Sequence, residues 1–155
     1  MTNLIDKELI FISSLNSKEM VFQRIHKILF ERGYVKENFL DMLTEREKNY
    51  PTGLDMNPVG SIEYNIAVPH TESNCVNVSK IIPIKLENEI VFNNMIEPDK
   101  EIKVKFLFMI LNKDANEQAN LLAQIMDFMT KTEDINELFK LESEEEIYEF
   151  IEKNF

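Results

Sequence analysis

The chain has 155 residues, 44% hydrophobic and 29% charged, a composition expected of one globular domain over residues 1–155 with length enough to bury a core. Its formal net charge of −11 argues against nucleic acid and anionic membranes as partners and favours partners with a basic face. The longest apolar run, Phe106 to Leu111, is too short to span a bilayer, and Met1-Thr2-Asn3-Leu4-Ile5-Asp6 lacks the basic and apolar regions of a signal peptide.

Lys18 to Arg32 carries Val21, Ile25, Ile28 and Leu29 at helical spacing, with Gly33 as a natural stop. Lys36 to Tyr50 reads as a second helix, ended by Pro51. On it Phe39, Leu43, Arg46 and Tyr50 fall within about 60° of one another at about 100° per residue, a single stripe with Arg46 in its middle. A guanidinium on a buried face needs an anion or backbone carbonyls, because an unpaired buried charge is strongly destabilising. The alternative is a packed stem whose head snorkels out. Thr52 to Tyr64, with Gly, Pro, Asn and Asp scattered through it, reads as a loop.

Asn65-Ile66-Ala67-Val68 is a short apolar strand stopped by Pro69. The proline fixes its own φ and holds Val68 extended, so His70 is presented at a stiff strand end. An imidazole titrates near neutrality and serves as general base, metal ligand or nucleophile. Metal binding is the weakest of these readings. There is one cysteine, and the only other histidine, His26, lies 44 positions away on a helix, so no ligand set has zinc spacing. Thr71 and Glu72 are near enough in sequence to contact the ring or a partner loop. Cys75, a single cysteine that suits a reducing cytoplasm, reads as a bystander, and His26 sits at the boundary of its helix's apolar face.

A second strand is expected at Ile81 to Leu86, where Pro83 marks an edge or the first residues of a strand, and a short one near Ile90 to Phe92. Ile102 to Leu111 begins with alternation at Ile102, Val104, Phe106 and Phe108 and turns continuously apolar, as a central strand does. Asp114-Ala115-Asn116-Glu117 looks like a capping box opening a helix to about Met129. In its first turn Gln118 lines up with Leu121, Leu122 and Ile125 on the inward face, where backbone N–H groups are unpaired and the dipole favours anions. The alternative for Gln118 is a core-edge amide satisfied by backbone. Helices at Glu133–Lys140 and Ser143–Lys153 close the chain, the latter with a Ser143…Glu146 capping pattern. Glu133 to Phe155 holds nine acidic side chains against two lysines, the signature of a solvated helix face. Together these elements predict a mixed α/β (α+β-like) domain, with a parallel/antiparallel sheet of about five strands flanked by helices on both faces.

A strand-end imidazole, an inward arginine and a helix N-terminus with an inward amide are suitable parts for holding a phosphoryl group. Arg46-Glu47, Tyr50-Pro51-Thr52-Gly53-Leu54 and Ile66-Ala67-Val68-Pro69-His70-Thr71 resemble the arginine-bearing helix end, the Pro-Thr-Gly loop and the Pro-His phosphorylation site of the enzyme IIA components of the bacterial sugar phosphotransferase system, in the fructose/mannitol-type superfamily. The match runs over nearly the whole chain in the same order of elements. The resemblance implies that His70 receives a phosphoryl group from the phosphocarrier protein HPr and passes it to a cysteine of an enzyme IIB partner, which phosphorylates a sugar as membrane enzyme IIC transports it. It implies attack by Nε2 with Nδ1–H held by a backbone carbonyl, positive charge from Arg46, hydrogen bonds from Gln118, and no metal or other cofactor. It also implies a cytoplasmic protein.

Phe92-Asn93-Asn94-Met95-Ile96-Glu97-Pro98-Asp99 and Val104-Lys105-Phe106-Leu107-Phe108-Met109 resemble the galactitol-type branch. Many mannitol-, fructose- and nitrogen-type members carry a second histidine where this chain has Gln118, and galactitol-type members often have glutamine there. The segment between Gly53 and His70 is longer than is usual in the family. Two alternatives stand beside the transport relay: a nitrogen-type regulatory module acting by phosphorylation-dependent protein binding, and a non-catalytic small-molecule binder with a structural His70. The 155 residues include no DNA-binding segment, which favours the relay over the regulator.

Overall fold

In the computed structural model, which describes residues 4–155, two long strands form the middle of the sheet. These are β4 (Lys80–Asn93) and β5 (Glu101–Leu111), rich in the β-branched and aromatic residues that fit a pleated surface. Met1, Thr2 and Asn3, the first half of the hexapeptide considered above for a signal sequence, lie outside the described residues. Three short strands, β1 (Phe11–Ser13), β2 (Gly53–Leu54) and β3 (Asn65–Ala67), complete a five-stranded sheet of order β1-β4-β5-β3-β2. β1 runs parallel to β4 and β3 parallel to β5, whereas β4–β5 and β2–β3 are antiparallel. The sheet is therefore mixed, as expected.

Helices cover both faces. α1 (Lys18–Glu31) and α2 (Phe39–Asn49) bring Val21, Phe22, Ile25, Leu29, Phe39 and Leu43 onto the face that carries Ala67, Ile82, Ile84, Leu107 and Met109. α3 (Gln118–Lys131) and α4 (Glu144–Asn154) cover Ile66, Val68, Phe106, Phe108 and Ile110 on the other. Burying a large apolar side chain stabilises by about 1.5–3 kcal/mol, against about 1 kcal/mol for a helix cap. The four buried side chains of α1 thus hold it more firmly than the Ser17 cap on the Met20 N–H does. Gly33, at φ +80°, ends α1 in a conformation that favours glycine.

Several boundaries differ from the sequence expectation. The strands expected at Ile81–Leu86 and Ile90–Phe92 are one strand with a large bulge: Lys85 pairs with Phe106 and Ile90 with Val104, so four residues face a single Lys105. Glu87, Asn88 and Glu89 are exposed there, which is why the apolar pattern breaks. The same irregularity shifts the phase of β5. Ile102 and Val104 face α1 and α2, but Phe106 and Phe108 face the opposite core, so the alternation over these four residues is not one face. Pro83 lies inside β4, one residue ahead of its three-residue ladder with β1. The nearby Ile81 N–H donates outward to the Leu4 carbonyl, and alternation turns the Pro83 nitrogen to that same side, away from β5.

β1 and β2 escaped the periodicity because three and two residues carry almost no period. α2 begins at Phe39, not Lys36. Residues 135–140 form a 3₁₀ helix instead of an α-helix, entered through Asp134 at φ 56°. Ala115–Glu117 is a 3₁₀ turn, started by Asp114 accepting from the Asn116 N–H, that leads into α3. The Ser143/Glu146 capping box of α4 is formed.

Gly53 is where the backbones crowd. A Cβ built there would lie 2.7 Å from the Asn93 carbonyl oxygen and 3.0 Å from Ile102 Cδ1. The expected effect of Gly53→Ala is a loss of about 1–3 kcal/mol, the usual cost of overpacking, measurable as a lower urea midpoint with an unchanged slope.

Candidate active site

His70 stands just past the C-terminal end of β3, where its backbone bridges Ile110 at the end of β5. The Ile110 N–H donates to the Pro69 carbonyl at 3.0 Å, so the strand end is anchored although Pro69 has no donor of its own. The residue is only 6% exposed. Its Nδ1 lies 2.8 Å from the Val68 carbonyl oxygen. A carbonyl can only accept, so Nδ1 carries the hydrogen and Nε2 carries the lone pair. Burial pushes the imidazole pKa below its ordinary value; the Val68 carbonyl opposes this, Arg46 adds to it, and Glu72 opposes it. These effects together favour the neutral ring.

Gln118, the first residue of α3, faces that lone pair: its amide N–H donates to His70 Nε2 at 2.6 Å. The expected inward amide thus meets the imidazole directly, across a sequence separation of 48.

Arg46 comes from the last turn of α2 and is not at the centre of the buried stripe. The inward residues of α2 are Phe39, Leu43 and Glu47, each four apart, and Arg46 stands on their shoulder with its side chain 25% exposed. Tyr50 is 66% exposed because the helix stops at Asn49 and Tyr50 leaves the helical angular series. The guanidinium lies over the Tyr50 ring, 5.2 Å from its centroid, and Nη1 donates to Glu72 Oε1 at 2.7 Å. Its Nε is buried and has no partner among the described residues. Nε and the Nη2 beside it form the side-on fork that matches two oxygens of an anion.

Two residues of this region, Glu47 and Thr52, lie in the motifs quoted above but have no role legible in the sequence. Glu47, 3% exposed, accepts from the Thr52 N–H with Oε2 (2.8 Å) and from the Thr52 hydroxyl with Oε1 (2.7 Å). Burial pushes its pKa up and the Thr52 bonds oppose that. Thr52 in turn accepts the Val68 N–H at 3.2 Å on its carbonyl. The available signal was spacing, since Glu47 is four residues beyond Leu43, but a glutamate is not counted as an inward residue. His26 is remote in role: it stacks between Phe30 and Phe39, at centroid distances of 5.8 and 5.9 Å. Cys75 is a buried free thiol whose pKa burial pushes up, which disfavours the thiolate. Among the described residues no group of three or more His, Cys, Asp or Glu could hold a metal ion, and no helix is long and apolar enough to cross a membrane.

A groove of about 910 Å³ between α1, α2 and the β4–β5 turn is lined by Lys18, Phe22, Asp41, Lys48 and Asp99 among others, and not by His70. The imidazole sits instead past the C-terminal end of β3, beside the end of β5 and the first residue of α3. The arrangement offers a neutral nucleophilic nitrogen, an adjacent amide donor and an unpaired arginine N–H.

Comparison with known proteins agrees with this fold. Residues 3–154 match the family described as phosphoenolpyruvate-dependent sugar phosphotransferase system, EIIA 2. The fold is similar to that of the mannitol IIA from Escherichia coli, with a TM-score of 0.72 at 20% identity over 94% of this chain and 97% of that one. It is similar to enzyme IIA of the E. coli mannitol system in its complex with phosphorylated enzyme IIB, with a TM-score of 0.72 at 19% identity over 97% of this chain and 99% of that one. A third similar structure is the nitrogen regulatory protein IIA-Ntr from Neisseria meningitidis, with a TM-score of 0.65 at 18% identity over 96% and 97% of the two chains. At these identities the likeness is one of fold. No curated protein sequence matches the chain. The family match, spanning nearly every residue, carries the assignment: the chain belongs to the EIIA 2 family of the phosphoenolpyruvate-dependent sugar phosphotransferase system.

Proposed function

We propose that this chain, as one domain over residues 1–155, accepts a phosphoryl group from phospho-HPr on His70 Nε2 and passes it to a cysteine of an enzyme IIB partner. That partner then phosphorylates a sugar moved by membrane enzyme IIC. The observation that carries the reading is the 2.8 Å contact from Nδ1 to the Val68 carbonyl, which leaves the lone pair on Nε2 without any proton having to move. As the P–N bond forms, the donor's bond to phosphorus breaks and the ring takes positive character, which the Val68 carbonyl stabilises. Arg46 supplies Nε–H and Nη2–H to two phosphoryl oxygens while Glu72 keeps Nη1. Gln118 gives up its bond to Nε2 and donates to a third oxygen. Such transfer needs positioning and charge stabilisation more than covalent help, and no metal enters the scheme.

We infer a galactitol-type polyol or sugar from the likeness of segments 92–99 and 104–109 and of glutamine at 118 to the galactitol-type branch. A second reading is a regulatory module, favoured by the similarity to the nitrogen regulatory protein IIA-Ntr. Phosphorylation from HPr followed by transfer to a panel of IIB partners separates the two. A chain that takes phosphate but passes it to no IIB is a regulator, and one that takes none is a binder with a structural His70.

Labelling by phospho-HPr is expected to be acid-labile and alkali-stable. It should vanish in His70→Ala and persist in His26→Ala; full labelling of His70→Ala removes His70 from the mechanism. Arg46→Lys keeps the charge and loses the fork, so transfer should slow about tenfold, equivalent to about 1.4 kcal/mol of transition-state stabilisation, with an unchanged melting temperature. An unchanged rate with a lowered melting temperature would assign Arg46 to structure instead.

The pH dependence follows from the lowered His70 pKa. The native state binds fewer protons than the unfolded one, so stability is unaffected above about 6.5, the ordinary histidine value, and falls as pH drops from there through the native value. The rate should hold through pH 6.5 and decline only on the acid side of it, with one ionisation on the IIA side. Gln118→His should add a second ionisation, and Gln118→Leu should slow transfer at near wild-type stability. A destabilised Gln118→Leu with normal kinetics would remove the phosphate contact.

A further inference from the structure

The ring is held by Gln118 at Nε2 and by the Val68 carbonyl at Nδ1, and Val68 in turn bonds to Thr52, a residue held by a carboxylate outside the reacting group. Thr52 is 2% exposed, and both its N–H and its hydroxyl donate to Glu47, one to each carboxylate oxygen. Two acceptors matched to the two donors of one residue fix that residue's position and its rotation. Thr52 immediately precedes β2, a strand of two residues, too short to hold its own register against β3. Glu47 thus holds the residue that leads into the pairs Gly53↔Ala67 and Leu54↔Ile66 and whose carbonyl accepts the Val68 N–H, while Gly53 is tied on its other side to Asn94 and Met95. Val68 then presents its own carbonyl to His70 Nδ1.

We propose that Glu47 is a positioning residue for His70, acting through Thr52 and Val68 to set which imidazole nitrogen carries the hydrogen. The inference rests on the reading of His70 as the phosphoryl acceptor. The coupling is positional and not a charge relay. Thr52's N–H and its C=O belong to different peptide groups, and so do those of Val68, so polarisation does not pass along the chain. The charges that act on the ring are Arg46 and Glu72. Glu47 follows Arg46 at the end of α2, so one helical turn aims the guanidinium outward and anchors the peptide beneath the imidazole. Without its carboxylate, the Thr52 donors are left buried and unpaired, the entry to β2 loses one of its holds, and the Val68 carbonyl can turn from the ring.

The test uses the whole chain and two readouts: the imidazole ¹⁵N shifts of unphosphorylated His70, which report the tautomer, and single-turnover phosphorylation by phospho-HPr. Glu47→Ala should raise the population with hydrogen on Nε2 and lower the maximal rate about tenfold or more, with the concentration dependence on phospho-HPr unchanged. Glu47→Gln, whose Oε1 still accepts from the Thr52 N–H, should keep the wild-type tautomer and stay within about threefold of the wild-type rate. A folded Glu47→Ala with the wild-type tautomer overturns the proposal, and so does a shifted tautomer with an unchanged maximal rate. Should Glu47→Ala fail to fold, Thr52→Val takes its place: it loses only the hydroxyl bond and should shift the tautomer the same way by less, while a wild-type tautomer there overturns the proposal. The tautomer is read without any phosphate present. Labelling of His70→Ala would therefore dismiss His70 as acceptor while leaving the tautomer comparison to decide whether Glu47 orients the ring.

Discussion

The hydrogen bond from His70 Nδ1–H to the Val68 carbonyl decides where the imidazole keeps its lone pair, and much of the surrounding structure serves to hold that carbonyl. It spans only two residues, so it could form in many loops. What makes it persistent is that its neighbours are committed elsewhere. The Pro69 carbonyl accepts from Ile110 and the Val68 N–H donates to Thr52, which leaves the Val68 carbonyl to the ring. Parallel pairing with β5 on one side and a two-residue strand on the other thus convert a local contact into a fixed tautomer.

The electrostatics act with this geometry. Burial keeps the ring neutral, and a guanidinium nearby pushes the same way, so protonation is discouraged by the group that would also attract a phosphoryl oxygen. A glutamate on Arg46 Nη1 would ordinarily neutralise such a site. Here it is 66% exposed at its side chain, where a pair contributes little beyond orientation, and the buried Nε stays unpaired. The cation is therefore held in place without being consumed.

What was legible in the sequence followed from stiff or periodic features. Pro69 at a strand end foretold a presented His70, and the spacing to Leu121 and Ile125 foretold an inward Gln118 that meets it. Helices on both faces of a mixed sheet followed from apolar stripes and from the two long strands. What was not legible depended on pairing partners that lie far away in the chain. A four-against-one bulge cannot be seen in either strand alone, yet it reverses which face Phe106 and Phe108 cover. β1 and β2 exist because β4 and β3 offer them an edge. Arg46 stands one position off the inward series of α2, because the helix ends before Tyr50 and buries Glu47, and an apolar stripe drawn from residue type alone includes the first and excludes the second.

The contact between Gln118 and Nε2 raises a question of order in the proposed reaction, since the amide sits on the lone pair that must attack. A neutral hydrogen bond of this kind has a net value of about 0.5–1.5 kcal/mol, so releasing it lowers the available nucleophile by about tenfold at most. The amide N–H then faces a phosphoryl oxygen, and a bond to an ionised acceptor is roughly twice as strong as a neutral one. The exchange therefore favours the phosphorylated state over the resting one. A second histidine in this place would change its charge with pH, whereas a glutamine makes the same exchange at any pH at which His70 itself is neutral. That is the chemical consequence of the residue at 118, and it ties the amide's resting contact to its role once phosphate arrives.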